Sequence, residues 1–98
     1  VSHPLTLRPD AVLDVEDAFR YLSNARTGLG PQFLARLREV LERVESLPEL
    51  YGIVWQDVRA ARLKQFRYVV YFVVFQDRIE VLAVLHSSRN AAEWQSRT

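Results

Sequence analysis

Residues 68–75 read Tyr-Val-Val-Tyr-Phe-Val-Val-Phe. Every position is β-branched or aromatic, and neither alternating set is polar. Tyr68, Val70 and Phe72 share one face, while Tyr71, Val73 and Phe75 share the other. A run apolar on both faces fits a central strand covered on both sides. Downstream, Gln76–Asp77–Arg78 reads as a tight reversal, and Ile79–Leu85 is again β-rich, so the two runs form a hairpin. Upstream, a period of two begins at Arg59. Ala61 and Leu63 fall on one face, and Arg62, Lys64 and Phe66 on the other.

The N-terminal half has a different period. Leu5–Arg8 alternates weakly and reads as a short strand. Pro9 suits a first helical position, and Asp10 favours the positive end of the helix dipole. Val12, Val15, Phe19 and Leu22 then recur at helical spacing, widened by Ala11 and Ala18, which predicts an amphipathic helix over 9–23. Residues 23–30 carry Asn24, Gly28 and Gly30 and read as a loop. Pro31 opens a second helix, with Phe33, Leu34, Leu37, Leu41 and Val44 as its stripe and Val40 and Leu47 at the margin. Pro48 ends it. The short connection makes the helices an antiparallel pair. Residues 48–57 read as a structured loop in which Tyr51 and Trp55 are packing plugs. Asn90, with Glu93 three residues on, resembles a capping box before a short helix carrying Trp94. The order β-α-α-β-β-β predicts an α+β fold over residues 1–98 as one domain. A helical hairpin packs on a mostly antiparallel four-stranded sheet, followed by a short C-terminal helix.

The chain of 98 residues has no Cys, which excludes disulfides and cysteine chemistry, and two His, which argues against a zinc site. No cofactor is expected. No run of about 18 apolar residues and no secretory pattern occurs, so no membrane span and no membrane contact are expected. Net charge is +1, but unevenly placed. Residues 1–58 hold six Lys and Arg against nine Asp and Glu, and residues 59–98 hold seven against three. That asymmetry fits either an acidic partner or chance.

The helical hairpin covers one face of the central strand. The tail with Trp94 and the 48–57 segment could cover the other, or a partner could complete it. Arg59, Arg62, Lys64, Arg67 and Arg89 could border that face. Interleaved with Tyr68, Tyr71 and His86, they suit either phosphate and base stacking or the carboxylates of an acidic peptide. His86 beside Arg89 is the one arrangement that could act as a general base with a charge stabiliser, and no triad, phosphate loop or carboxylate pair accompanies it. The tail helix has one large apolar anchor, Trp94, and reads as weakly held.

Residues 28–51, GLGPQFLARLREVLERVESLPELY, and 57–94, DVRAARLKQFRYVVYFVVFQDRIEVLAVLHSSRNAAEW, resemble the RelE/ParE superfamily of bacterial type II toxins. The family pattern of two arginines, phenylalanine, proline and tyrosine before the central strand corresponds to Lys64, Gln65, Phe66, Arg67 and Tyr68. The pattern of histidine, a variable residue, two arginines and aspartate after the last strand corresponds to His86, Ser87, Ser88, Arg89 and Asn90. The resemblance implies that Tyr68 and Ser88 stand where the ribosome-dependent ribonuclease branch carries arginines, which favours the ParE-like branch. It also implies a cytoplasmic protein, a cognate antitoxin that wraps the chain into a hetero-oligomer, and DNA gyrase as target. The alternatives are a RelE-type mRNA interferase acting at the ribosome, or a binding module without toxicity. Candidate binding residues are Arg59, Arg62, Lys64, Tyr68, Tyr71, His86, Arg89 and Trp94, with no catalytic residue assigned.

Overall fold

The computed structural model describes residues 3–98. Strand β1 (Leu5–Leu7) leads into helices α1 (Pro9–Ala25) and α2 (Leu29–Ser46). A 3-10 turn over Pro48–Leu50 precedes β2 (Ile53–Trp55), β3 (Val58–Arg62), β4 (Tyr68–Val74), β5 (Ile79–His86) and helix α3 (Ala91–Gln95). The sheet has five strands in the order β1-β5-β4-β3-β2. Only the β1–β5 pairing is parallel, with Leu5 opposite Ile79 and Leu7 opposite Val81. The α+β architecture, the helical hairpin and the short terminal helix are as expected. The fifth strand is the difference: β2 lies inside the segment read as a loop. Three residues between Pro48–Gly52 and the Gln56–Asp57 turn are too few to display a period.

Pro9 takes the first position of α1, and Asp10 lies in its first turn. Gly28, at φ +88°, supplies the left-handed residue that turns the chain into α2. That helix begins two residues before Pro31, whose missing N–H falls among first-turn donors that have no helical partner anyway. The pair packs closely at Gly30, where a built Cβ would come within 2.0 Å of Ser23 Oγ and 2.9 Å of the Phe19 ring.

The buried stripe of α1 is narrower than its spacing suggests. Ala11, Ala18 and Leu22 are buried, whereas Val12 is turned outward. On α2 the buried set is Gly30, Phe33, Leu37, Val40 and Val44, so Val40 is central and Leu34 lies outside. Small residues on α1 let the helix sit close to the sheet.

The two faces of β4 separate as its alternation predicts. Val70 and Phe72 are buried against the helices, with Tyr68 and Val74 packed beside them. Tyr71 and Val73 belong to a second cluster with Val58, Leu82, Ala83, Leu85 and Trp94. Register shifts where Tyr71 faces Ala83 and Phe72 faces Val81, leaving Leu82 as an extra residue in β5. This bulge places both Leu82 and Ala83 in the second cluster. Phe66 does not share a face with Arg62. Gln65 at φ +70° breaks the alternation, and Phe66 packs edge-on to Phe33, at 5.9 Å between ring centroids.

Candidate functional site

The second face of the sheet is closed by the chain itself. The Trp94 indole stacks on Tyr71 at 4.4 Å between centroids, with 14° between the planes. Trp55 meets it edge-on at 6.1 Å. Trp94 is buried, as are Leu82, Ala83 and Leu85 beneath it. Of the two covers the sequence allowed for this face, the tail with Trp94 and the 48–57 segment is the one present, and Tyr71 and Trp94 are packing residues here. Tyr51 and Trp55 do pack as plugs, Tyr51 standing edge-on to Phe72.

Nor is the tail held by Trp94 alone. The Arg97 guanidinium donates to both carboxylate oxygens of Asp14, at 2.6 and 3.2 Å, and to the Leu82 carbonyl at 3.1 Å. Asp14 Oδ2 also accepts from the Val84 N–H at 3.0 Å. Past Arg8, whose N–H reaches the Val81 carbonyl, β1 gives way to α1. Beyond that point, Asp14 and Arg97 serve the exposed backbone of β5 as a continued strand would. The Arg8 guanidinium binds the Arg97 carbonyl at 2.9 Å and Glu80 at 2.7 Å. This second anchor was illegible because its partners lie at opposite ends of the sequence.

Three of the candidate residues meet. Tyr68, His86 and Arg89 line a cleft of about 390 Å³ between α1 and the ends of β4 and β5, together with Tyr21, Asp17 and Ser88. Tyr68 and His86 face each other in the β4–β5 register, their rings edge-on at 5.4 Å. His86 Nδ1 accepts from the Ser88 N–H at 3.1 Å and lies 2.7 Å from Ser88 Oγ. The backbone donor leaves Nδ1 as the acceptor, so the neutral ring carries its proton on Nε2. Burial pushes the Tyr68 phenol up, Tyr21 adds to the rise and Arg89 opposes it. Tyr68 is thus a hydrogen-bond donor at neutral pH rather than a base.

Arg89 is not a free cation. Its Nε donates to Glu93 Oε1 at 2.9 Å, and its Nη2 to the other oxygen of the same carboxylate. That pairing holds the Glu93 carboxyl below its ordinary range. The Asn90 side chain caps α3 by accepting from the Ala92 N–H at 2.9 Å. Glu93 turns to Arg89, so the box is half formed. Asp14, bound by Arg97, and Asp17, paired with Arg20, also line the cleft. Tyr21, Asp14 and Asp17 carried no motif in the sequence, and only the α1–β5 packing brings them here.

The remaining basic residues lie elsewhere. Arg59 faces the helix side, opposite Phe72, and its guanidinium donates to the Tyr51 carbonyl at 2.7 Å. Arg62, opposite Val69, is on the other face, where its charge moderates the rise that burial imposes on Tyr71. Arg62 and Lys64 share a shallow groove with Glu39 and Arg43. The eight candidates are therefore spread over separate surfaces. Among the described residues there is no cluster of His, Asp and Glu able to hold a metal ion, and no helix is long and apolar enough to cross a membrane.

The sequence from Leu5 to Ala91 matches the family model described as ParE toxin of type II toxin-antitoxin system, parDE. The chain belongs to this family. A solved structure, the chromosomal ParDE TA system from P. aeruginosa, superposes with a TM-score of 0.64 over 87% of this chain and 96% of that one. At 15% identity the likeness to it is one of fold. No curated protein matches the sequence. The RelE/ParE resemblance is thereby resolved to the ParE family, and the helical hairpin, five-stranded sheet and short tail helix form the frame of a type II toxin.

Proposed function

We propose that this chain is the toxin of a ParDE-type pair, neutralised by a cognate antitoxin and acting on DNA gyrase in the cytoplasm. The observation that carries this reading over a RelE-type interferase is the charge state of the cleft. The resemblance puts Tyr68 and Ser88 where ribonuclease relatives carry arginines. Arg89, one position from Ser88, is tied to Glu93 by both carboxylate oxygens. A phosphoryl transition state needs unopposed donors aimed at developing negative charge. Here the nearest cation is paired with Glu93, and Asp17 lines the same cleft.

The antitoxin is expected to use two surfaces. A groove of about 470 Å³ between the helices, lined by Val15, Phe19 and Leu34, suits the apolar anchors of an amphipathic helix. Arg62 and Lys64, both exposed, suit the carboxylates of an acidic segment. Arg59, bound to the Tyr51 carbonyl, contributes less than the sequence suggested.

Expression in a sensitive bacterium, with and without the antitoxin, tests the reading. Growth arrest with gyrase-dependent DNA damage, rescued by the antitoxin, is the expected outcome. Cuts at fixed codon positions in ribosome-bound message, lost in Arg89→Ala, would replace it with the interferase. Normal growth at verified expression, with antitoxin binding retained, would leave a binding module.

A further inference from the structure

β3 is covered over only part of its length. β2 pairs with its first residues, Ile53 opposite Arg59 and Trp55 opposite Val58. The last backbone bond between them runs from the Ala60 N–H to the Gly52 carbonyl at 3.3 Å. Before Gly52 the chain leaves the sheet for the Pro48–Leu50 turn. On the opposite side of β3, the Leu63 N–H reaches the Tyr68 carbonyl at 3.0 Å. Backbone groups alternate in direction along a strand, so Leu63 faces β4 and Arg62 points its N–H and C=O away from it. Among the described residues no strand stands opposite Arg62 on that side.

A groove of about 200 Å³ lies at this uncovered end, lined by Glu39, Val40 and Arg43 of α2 and by Arg62, Leu63 and Lys64. No residue of β2 or β4 lines it, so it follows the free side of β3 beneath α2. Its walls carry three cations and one carboxylate. That carboxylate, Glu39, is bound by Arg36 at 2.8 Å, and Glu42 and Glu45 of the same helix do not line the groove. Among the described residues Arg43, Arg62 and Lys64 form no ion pair, and all three are exposed. Three unpaired cations around one groove repel one another, and an anion between them relieves that repulsion.

We infer that this groove takes an extended acidic segment of a partner protein, laid against the uncovered end of β3, and that Arg43 binds it together with Arg62 and Lys64. The segment's backbone exchanges two hydrogen bonds with Arg62. Successive side chains of an extended chain turn to opposite faces. Two consecutive Asp or Glu residues therefore meet Arg43 on the helix side and Arg62 on the other, and a third reaches Lys64. A phosphodiester chain would also neutralise the cations, but its backbone supplies no N–H to the Arg62 carbonyl, and this favours a peptide. The proposed antitoxin is one source of such a segment, and to that extent the inference rests on the function proposed above. It adds the place of the segment's backbone and a contact, Arg43, that lies on a different element from the other two.

The probe is a capped peptide, Ser-Val-Glu-Asp-Glu-Val-Ser, with a twin in which lysines replace its acidic residues and a short oligothymidylate as the phosphodiester control. Each is titrated into the purified full chain while backbone amide shifts and hydrogen exchange are followed. The acidic peptide should slow exchange at the Arg62 N–H and shift the amides of 39–43 and 60–64. It should bind about tenfold or more tighter than its twin at low salt and lose that advantage as salt rises. Arg43→Gln, at an exposed position, should weaken binding about fivefold and leave the remaining amide spectrum unchanged. Methylating the peptide's central amides should remove the protection at Arg62. Equal binding of the lysine twin, shifts confined to other surfaces, or full affinity in Arg43→Gln would overturn the inference. Oligothymidylate binding as tightly as the acidic peptide, through the same three cations, would assign the groove to a nucleic acid instead. The measurement needs neither toxicity nor the antitoxin, so its failure leaves the gyrase reading standing, and normal growth in the expression test leaves the groove in place.

Discussion

On one face of the sheet, helices of 17 and 18 residues bury Ala11, Ala18, Leu22, Phe33, Leu37, Val40 and Val44. On the other, a helix of five residues buries one indole, and one guanidinium pins the end of the chain beyond it. Both faces end up dry: Phe72 and Leu82 are each fully buried, on opposite sides. The first is closed by many interchangeable apolar contacts, the second by two specific ones. A face closed by many small terms loses little to a modest change at its margin, whereas a face closed by two can be opened by either.

The largest effects test that contrast directly. Phe33→Ala and Trp94→Ala should each cost about 3–5 kcal/mol in urea unfolding, the range for truncating a buried aromatic residue. They should differ in kind. Phe33→Ala should lower protection across the whole helix-side core. Trp94→Ala should release α3 and leave amide exchange in α1 and α2 nearly unchanged at low denaturant. If Trp94→Ala costs under about 1 kcal/mol, the tail is a cover rather than a closure.

Asp14→Ala comes next, at about 2–4 kcal/mol, since it strands the largely buried Arg97 and leaves the Val84 N–H without its acceptor. Asp14 and Arg97 side chains are only 10% and 17% exposed, so solvent screens the pair little. A double-mutant cycle with Arg97→Met should return a coupling of about 1–3 kcal/mol. Additive single effects would mean the two act separately. On the opposite face, Gly30→Ala should cost about 1–3 kcal/mol by forcing Ser23 and the Phe19 ring away from α2. A neutral result would show that the helix pair can separate at no cost.

Smaller effects concern charge. Glu93 titrates below its ordinary value because Arg89 binds it, and Arg89→Ala should return it toward that value in an NMR titration. A carboxyl whose folded value is depressed adds stability above its unfolded value and loses it as pH falls through the folded one. The support Glu93 gives the tail should therefore fade on acidification and stay constant toward alkaline pH. An unmoved Glu93 in Arg89→Ala would place the cause elsewhere. Least of all, Arg62→Ala should leave stability within about 0.5 kcal/mol and, on the proposed function, slow association with an acidic antitoxin at low salt. An unchanged association rate would remove Arg62 from that interface.

What could be read from sequence divides along the same line. Residues 68–75 announced a strand buried on both sides, and the assignment of Tyr68, Val70 and Phe72 to one face and Tyr71 and Val73 to the other was carried by alternation alone. Period gave the helices, but it overrated Val12 and underrated Val40, because spacing marks a stripe and only the neighbour decides its centre. The strand at Ile53–Trp55 was too short for a period. The bulge at Leu82 and Ala83 lies inside an unbroken apolar run that looks the same with or without it. For the site, His86 and Arg89 were legible as a local pair and Tyr68 as a further candidate, while Ser88 entered only through the family pattern. Tyr21 and Asp17 were not, and neither was the bond between Asp14 and Arg97, because no local pattern links residues that meet only after the sheet is complete.

The parallel pairing of Leu5 with Ile79 also has a consequence for timing. The helical hairpin can form as soon as it is made, but its buried side chains rest on a sheet whose second strand in spatial order is β5, synthesised after the other four strands. Closing the ends of so long a loop is slow and cannot begin early. A chain leaving the ribosome therefore stays unfinished until Ile79–His86 has emerged. Nascent chains stalled before Ile79 should remain protease-sensitive throughout, and those stalled well after His86 should yield a resistant fragment. Protection acquired before β5 emerges would refute this order. On the proposed function, any partner that reads the finished sheet, antitoxin or target, meets it only after that moment, so neutralisation at the sheet gains no head start over harm during synthesis.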